Sequence, residues 1–260
     1  MVVHAFPYKI LSCGMSDIGL VRQNNEDVWA KMPALRFFAL ADGMGGHQAG
    51  EVAAKEAVGA LIAIVEKKLK SRPSLLETQA IIQRAIEQVN SLVYKMGRSD
   101  NDLQGMGTTL CCIYFYERGI VYGHVGDSRV YRQRAKKLHQ LTKDHSLLSE
   151  LIDLGQLSEK QASEFLYKNI ITRAIGTEPK VEPSVQTDDV APDDIYLMCT
   201  DGLSDLLSLE EIEKIINRTP SLQECAKKLI QAAKDEGGYD NITVVLIKVQ
   251  EIHETKDLSR

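Results

Sequence analysis

The sequence predicts an α+β protein built on an antiparallel sheet or sandwich, and three features carry that prediction. Apolar runs of strand length recur along the chain, and four of them meet an aspartate at one end. Two long amphipathic segments lie side by side in the first 100 residues. Short turns join the strand-like runs in the middle of the chain.

In order, residues 28–31 read as a strand, and Phe-Phe-Ala-Leu-Ala before Asp42 reads as a buried one. Val58, Leu61, Ile62, Val65 and Leu69 then fall at helical spacing, as do Ile82, Ala85, Ile86, Val89, Val93 and Met96. Lys70-Ser-Arg-Pro-Ser separates these two helices, and Ser74 with Glu77 makes a capping-box signature for the second. Strands at 108–116, 119–125 and 128–133, joined by short turns, read as a β-meander. Segment 144–176 interrupts this order; it is helical in pattern, with Ser158 and Gln161 as a further capping box. A buried strand precedes Asp201, and Ser208 with Glu211 and Ser221 with Glu224 start two more helices. Leu222, Cys225, Ala226, Leu229, Ile230 and Ala233 form one apolar face suited to packing on a sheet, and a last strand begins after Asp240.

At 260 residues the chain suits one domain with a sizeable core. Its formal charge is −5, with no long run of either sign, so a nucleic-acid partner is not indicated. The five cysteines are odd in number and mostly embedded in apolar runs, which reads as reduced core thiols. No apolar stretch reaches the roughly 18 residues that span a bilayer, and the first residues lack a signal-peptide core. The expected location is the cytoplasm, with no membrane partner.

The four aspartates carry the chemistry. Asp42 stands in F-F-A-L-A-D-G-M-G-G, Asp127 in H-V-G-D-S-R, Asp201 in I-Y-L-M-C-T-D-G-L and Asp240 in Y-D-N-I-T-V-V-L-I. One antiparallel strand starts where its neighbour ends, so all four carboxylates can gather at one edge. Such a cluster is self-repelling unless a cation sits among them. Oxygen-only ligands suit Mg²⁺ or Mn²⁺, whereas zinc is disfavoured because no Cys-x-x-Cys or His-Glu-x-x-His pattern occurs. Upstream, G-L-V-R-Q-N-N-E-D-V supplies Arg22, whose planar fork can hold a phosphate, and Glu26, which belongs near a phosphate only across a metal or its water. Alone, Arg22 and Glu26 have the spacing of an ordinary surface ion pair, and a single strand-end aspartate is often only a turn cap.

Taken in order, R-x-x-x-E-D, D-G-M-G-G-H, G-T-T, G-D-S-R, T-D-G-L-x-D and D-N-I-T resemble the type 2C metal-dependent protein serine/threonine phosphatases, in their bacterial form. The resemblance runs from about Gly14 to about Val249. It implies a central antiparallel β-sandwich flanked by helices on both sides, a four-layer αββα fold. Residues 1–250 would form a single catalytic domain with a flap-like insertion at about 144–176, and 251–260 a flexible tail. It also implies hydrolysis of phosphoserine and phosphothreonine by a water bridging two Mn²⁺ or Mg²⁺ ions, with a weak third ion. Carried over residue by residue, Asp42, the carbonyl of Gly43, Asp201 and Asp240 would hold the two ions, and Glu26 a metal-bound water. Asp127 and Asp205, sharing Asp201, match the third site. Arg22 would grip the phosphate, and Asp27 would support a ligand rather than touch an ion. The implied partners are phosphorylated proteins, a serine/threonine kinase or its targets, and the implied state is a monomer.

Met44 departs from the pattern, because many eukaryotic members carry a histidine there as proposed general acid; His47 is the nearest replacement. Cys112 and Arg118 have the spacing of thiol phosphatases but sit in an aromatic, alternating run that reads as a core strand. Gly43, Gly45 and Gly46 are followed by no Gly-Lys-Ser/Thr, which argues against a nucleotide loop. His124 and His145 read as structural, and Lys143 and Arg173 as surface or rim charges. Two other functions compete: a binding module with the same fold and a dead site, and a metal-dependent hydrolase of a nucleotide or small phosphorylated molecule.

Overall fold

Alternation along the strands sets the architecture. In Phe37–Met44, residues Phe37, Ala39 and Ala41 join one apolar cluster, while Phe38 and Leu40 join another. Both faces of such strands are covered, which is why they read in the sequence as continuous apolar runs. The structure, a computed structural model, describes residues 6–252 other than 46–48, 118, 159–160, 162–164, 166 and 168.

Its strands are β1 (Tyr8–Asp17), β2 (Asp27–Met32), β3 (Phe37–Met44), β4 (Gly107–Thr108), β5 (Leu110–Tyr116), β6 (Gly119–Val125), β7 (Arg129–Arg134), β8 (Lys137–Gln140), β9 (Ser184–Asp189), β10 (Ile195–Cys199) and β11 (Ile242–Glu251). The helices are α1 (Ala49–Leu69), α2 (Leu75–Ser99), α3 (Leu147–Asp153), α4 (Asp201–Ser204), α5 (Leu209–Arg218) and α6 (Leu222–Asp235). One sheet runs β1-β11-β10-β7-β8; the other runs β2-β3-β5-β6-β9, with the short β4 paired to β3. Every pairing is antiparallel.

Three apolar layers separate four layers of secondary structure. Val58, Leu61, Val65 and Leu69 of α1 and Ile82, Ile86, Val89 and Val93 of α2 pack on the β3 and β5 side of one sheet. Phe38, Phe115, Tyr122, Tyr196, Met198 and Ile247 fill the space between the sheets. Leu197, Cys199, Val244 and Leu246 meet Ile212, Ile216, Leu229 and Ala233 of α5 and α6 on the far side. The predicted sandwich with helices on both sides is the observed fold. The capping boxes at Ser74 and Ser208 are both closed, each serine accepting from the N–H three residues on.

The β-meander read over 108–133 is not what forms. β5 pairs with β6, but β7 lies in the other sheet, between β10 and β8, and β6 pairs instead with β9. Gly126, at φ +101, turns the chain from one sheet into the other, so Asp127 falls at the seam rather than at a hairpin tip. The sequence showed no strand at β1, β8 or β9. All three are edge strands, where polar and half-exposed residues replace the apolar alternation. In segment 144–176, α3 is the helix whose two ends fall among the described residues. Ser158 donates through N–H and Oγ to Gln161 Oε1, but the helix that box would start lies outside them.

Candidate metal centre

Strand parity delivers the acidic residues to one end of the sandwich. Phe38 and Leu40 face between the sheets, so Asp42 takes the same side where the apolar layer stops; Asp27 lies opposite it in the β2–β3 register. β10 ends at Cys199, and Thr200 and Asp201 follow at once. Asp240 and Asn241 immediately precede β11, its antiparallel neighbour. The β6–β7 turn adds Asp127.

Arg22, Glu26, Asp42, Asp127, Asp201 and Asp240 all line one cleft of about 390 Å³, along with Gly43 and Met44. Asp127, Asp201 and Asp240 also border a second cavity of about 730 Å³, which Asp205, Asp144 and Leu148 of the segment around α3 help to line. Asp127 and Asp201 of the predicted third set thus line the same cleft as Asp42, Gly43 and Asp240, whereas Asp205 lines the larger cavity. His47 lies outside the described residues.

The backbone around each carboxylate is tied down. Asp42 N–H donates to Thr109 Oγ1 (2.9 Å), and its carbonyl accepts from Thr108 Oγ1 and Thr109 N–H, both at 2.8 Å. Thr109 Oγ1 lies 2.7 Å from Ser128 Oγ, so the Gly-Thr-Thr and Gly-Asp-Ser motifs are joined through their hydroxyls. Asn241 is the second anchor. Its Oδ1 accepts from Glu26 N–H (2.8 Å), while its Nδ2 donates to the carbonyls of Ile18 (3.1 Å) and Asn24 (2.9 Å). One amide thus fastens the Arg22 loop to the start of β11. Arg22 does not sit on a helix; its Nη2 donates to Asp240 Oδ2 at 2.7 Å, and its side chain is about half exposed. Asn24 Nδ2 holds Glu26 Oε1 at 3.0 Å.

Glycines make the approach possible. A Cβ on Gly50 would collide with Oε2 of Glu26, and one on Gly43 would strike the carbonyls of Gly50 and Glu26. The first turn of α1 thus packs directly on the Glu26 carboxylate.

Electrostatics mark the cluster as unbalanced. Burial, with the charges of Asp27, Asp201, Asp240 and Asp127, pushes the Asp42 carboxyl well above the ordinary carboxylate range. Burial first, then Asp205 and Asp240, raises Asp201 to about 6. Burial, Asp201 and Asp144 raise Asp127 to about 7. Asp27 is also raised to about 7, by burial, although Thr200 Oγ1 donates to its Oδ2 at 2.9 Å. Asp27 Oδ1 and Asp201 Oδ1 are buried with no hydrogen-bond partner. Buried oxygens without donors, in an all-oxygen ring, are what a hard divalent cation satisfies. Among the described residues no three of these side chains close into a cage as they stand.

The remaining candidates behave as structure. His124 and His145 stack at 4.5 Å. His145 Nδ1 accepts from Gly126 N–H (3.2 Å), so its Nε2 carries the proton and donates to Ser184 Oγ (2.9 Å). Burial, then His124 and Arg173, push His145 down to about 3, so it stays neutral. Cys112 is buried in β5 and pushed up to about 12, which removes it as a thiolate nucleophile. Lys143 pairs with Asp153, and Arg173 donates to the Glu182 carbonyl at 3.4 Å. Sequence reasoning gave no role to Asn241, Thr109, Ser128, Thr200 or Gly50. The first four lay inside the quoted motifs, where a buried amide or hydroxyl beside an acidic residue is the available signal. Gly50 left none, because a helix tolerates it silently.

The profile of the family described as Protein phosphatase 2C matches residues 18–248. The chain is 36% identical over 247 residues to the serine/threonine phosphatase stp of Listeria innocua, covering 94% of this chain and 98% of that one. Its structure resembles the Mycobacterium tuberculosis serine/threonine phosphatase PstP/Ppp with a TM-score of 0.85 and 37% identity, covering 93% of this chain and 99% of the other. It also resembles the catalytic domain of the serine/threonine phosphatase PstP in complex with 2 manganese ions, at a TM-score of 0.81, 37% identity and the same two coverages.

Proposed function

The chain belongs to the protein phosphatase 2C family, and we propose that it removes phosphate from phosphoserine and phosphothreonine in proteins with the help of two Mn²⁺ or Mg²⁺ ions. The observation that carries the reading is the ring of raised, partly unpartnered carboxylates in one cleft beside Arg22.

Asp42, the Gly43 carbonyl, Asp201 and Asp240 would hold the two ions, with Glu26 orienting a coordinated water; Asp127 and Asp205, with Asp201, would hold a third. A divalent ion pair held there would supply an acidified water and positive charge to offset the charge on the reacting oxygens. The chain's own contribution is position. Arg22 is held at the cleft mouth by Asp240, with the rest of its fork free to take phosphoryl oxygens. Asn24 and Asn241 fix Glu26 by its side chain and its backbone, and Gly50 leaves room for it. Thr108 and Thr109 lock the Asp42 backbone. Preorganised groups of this kind lower the barrier because nothing must reorient during reaction.

The substrates are phosphoproteins, a serine/threonine kinase or its targets in bacterial signalling, and the acting species is a monomer; Asp144, Leu148 and Ser149, which line the larger cavity, belong to the segment that would act as a flap beside the site. The decisive experiment measures phosphate release from a phosphothreonine peptide with Mn²⁺ or Mg²⁺, with EDTA, and with an Asp201→Asn variant. Turnover that needs the ion and is lost with EDTA and with the substitution supports the reading. No turnover with any divalent ion, on peptide or on p-nitrophenyl phosphate, overturns it in favour of a binding module.

A further inference from the structure

Large apolar side chains stand exposed next to the acidic cleft, on two loops that are rigidly braced. Leu20 is 61% exposed, Val21 62% and Tyr239 64%. Val21 immediately precedes Arg22, and Tyr239 immediately precedes Asp240, the two residues paired at 2.7 Å at the cleft mouth. The loops are sewn together: Leu20 N–H donates to the Gly238 carbonyl at 2.8 Å, and a Cβ on Gly238 would sit 3.1 Å from Leu20 Cγ. Gly19 (φ +80), Gly237 (φ +124) and Gly238 (φ +51) hold turns that side chains resist. Asp17 fastens both ends, accepting from Gly19 N–H at 2.9 Å and from Lys234 Nζ at 3.0 Å.

Isolated exposed leucines are ordinary on a protein surface, but three large apolar residues together on one stiff platform at the rim of the reactive cleft are not. A stiff apolar platform binds with little loss of conformational freedom. Its position fixes the occupant. Leu20 and Val21 directly precede Arg22 in the chain, and Tyr239 borders the 730 Å³ cavity beside Asp240, so a substrate long enough to extend past Arg22 can reach this surface. A small phosphorylated molecule ends before reaching it, whereas an extended peptide advances about 3.3 Å per residue and places the side chains flanking the phosphoresidue there.

We propose that Leu20, Val21 and Tyr239 form a specificity platform that takes an apolar side chain of the protein substrate within a few residues of the phosphoserine or phosphothreonine. This inference rests on the phosphatase reading above.

The test compares the unmodified protein with Leu20→Ser and with Tyr239→Ala, each checked for an unchanged melting temperature. The substrates are two phosphothreonine peptides, one with Leu and Phe flanking the phosphoresidue and one with Ser in their place, and p-nitrophenyl phosphate. The platform predicts that the unmodified protein prefers the apolar peptide by about tenfold in kcat/KM, carried by KM, and that either substitution removes the preference. It also predicts that p-nitrophenyl phosphate turnover stays unchanged. Equal use of both peptides by all three proteins overturns it. A parallel fall on p-nitrophenyl phosphate also overturns it, by showing that the loops act through Arg22 or Asp240. Dimers of the unmodified protein that Leu20→Ser dissociates, in sedimentation at assay concentration, would instead assign the surface to a second copy of the chain. Loss of metal-dependent turnover by the unmodified protein on every substrate would be the separate failure of the phosphatase reading.

Discussion

Asn241 does more for the cleft than its neutral side chain suggests. Through one amide it accepts the Glu26 N–H and donates to the carbonyls of Ile18 and Asn24, so the Arg22–Glu26 loop is fastened to the start of β11 by a neutral side chain. Asn241→Ala removes all three bonds from a buried site and is expected to cost about 2–4 kcal/mol of stability. Turnover should fall as well, without rescue by excess Mn²⁺. Asn241→Asp keeps the acceptor, loses the donors and adds a charge to a ring already crowded with carboxylates, so its activity should fall at least as far. Thermal melts beside phosphopeptide kinetics check both. His145 is the counter-example among the titratable residues. Locked neutral between Gly126 and Ser184, it should leave no inflection in the pH–rate profile between 5 and 8.

Two glycines of α1 show how an element serves the site through its neighbours. Gly59 faces open space, so Gly59→Ala should stabilise by about 0.5–1 kcal/mol through helix propensity. Gly50, in the first turn of the same helix, has the Glu26 carboxylate where its Cβ would stand. Gly50→Ala should cost about 1–3 kcal/mol by overpacking and should displace Glu26, lowering turnover. The pair separates helix propensity from steric access within one helix, and the same melts and kinetics read it out. Helices such as α1 and α2 were legible because their apolar faces repeat over five turns or more. The edge strands β1, β8 and β9 were not, because exposure removes the alternation on which a strand is recognised.

Across the whole molecule, the carboxylate ring links folding to pH and to metal. The folded values near 6 for Asp201 and near 7 for Asp27 and Asp127 lie above the ordinary carboxylate value of about 3.9. A raised group contributes its stability below the unfolded value and loses it as pH rises through the folded one. The metal-free protein should therefore melt at progressively lower temperature between pH 5 and pH 8. Divalent ions compete with protons for the same oxygens, so the gain on adding Mn²⁺ should grow over that range. At 100-fold excess over Kd the stabilisation is about 2.7 kcal/mol, and at about 2–4 °C per kcal/mol that is about 5–10 °C. Differential scanning calorimetry with EDTA and with Mn²⁺ checks it. An Mn²⁺ effect that shrinks as pH rises would count against carboxylate ligation.

The sequence by itself determined the layers and the acidic residues that line the cleft. Period-2 and period-3.6 apolar patterns are local, and Asp42, Asp127, Asp201 and Asp240 each sit in a motif a few residues long. It did not determine which strands pair. Residues 108–133 look locally like three hairpin strands, yet β7 finds its partners at β10 and β8 in the opposite sheet. That choice depends on burial against residues about 60 positions away, and only the folded chain decides it. The same holds for Asn241 and Gly50. An amide that bridges 217 residues and a missing Cβ beside a distant carboxylate have no local signature, because their effect exists only once the tertiary contacts are made.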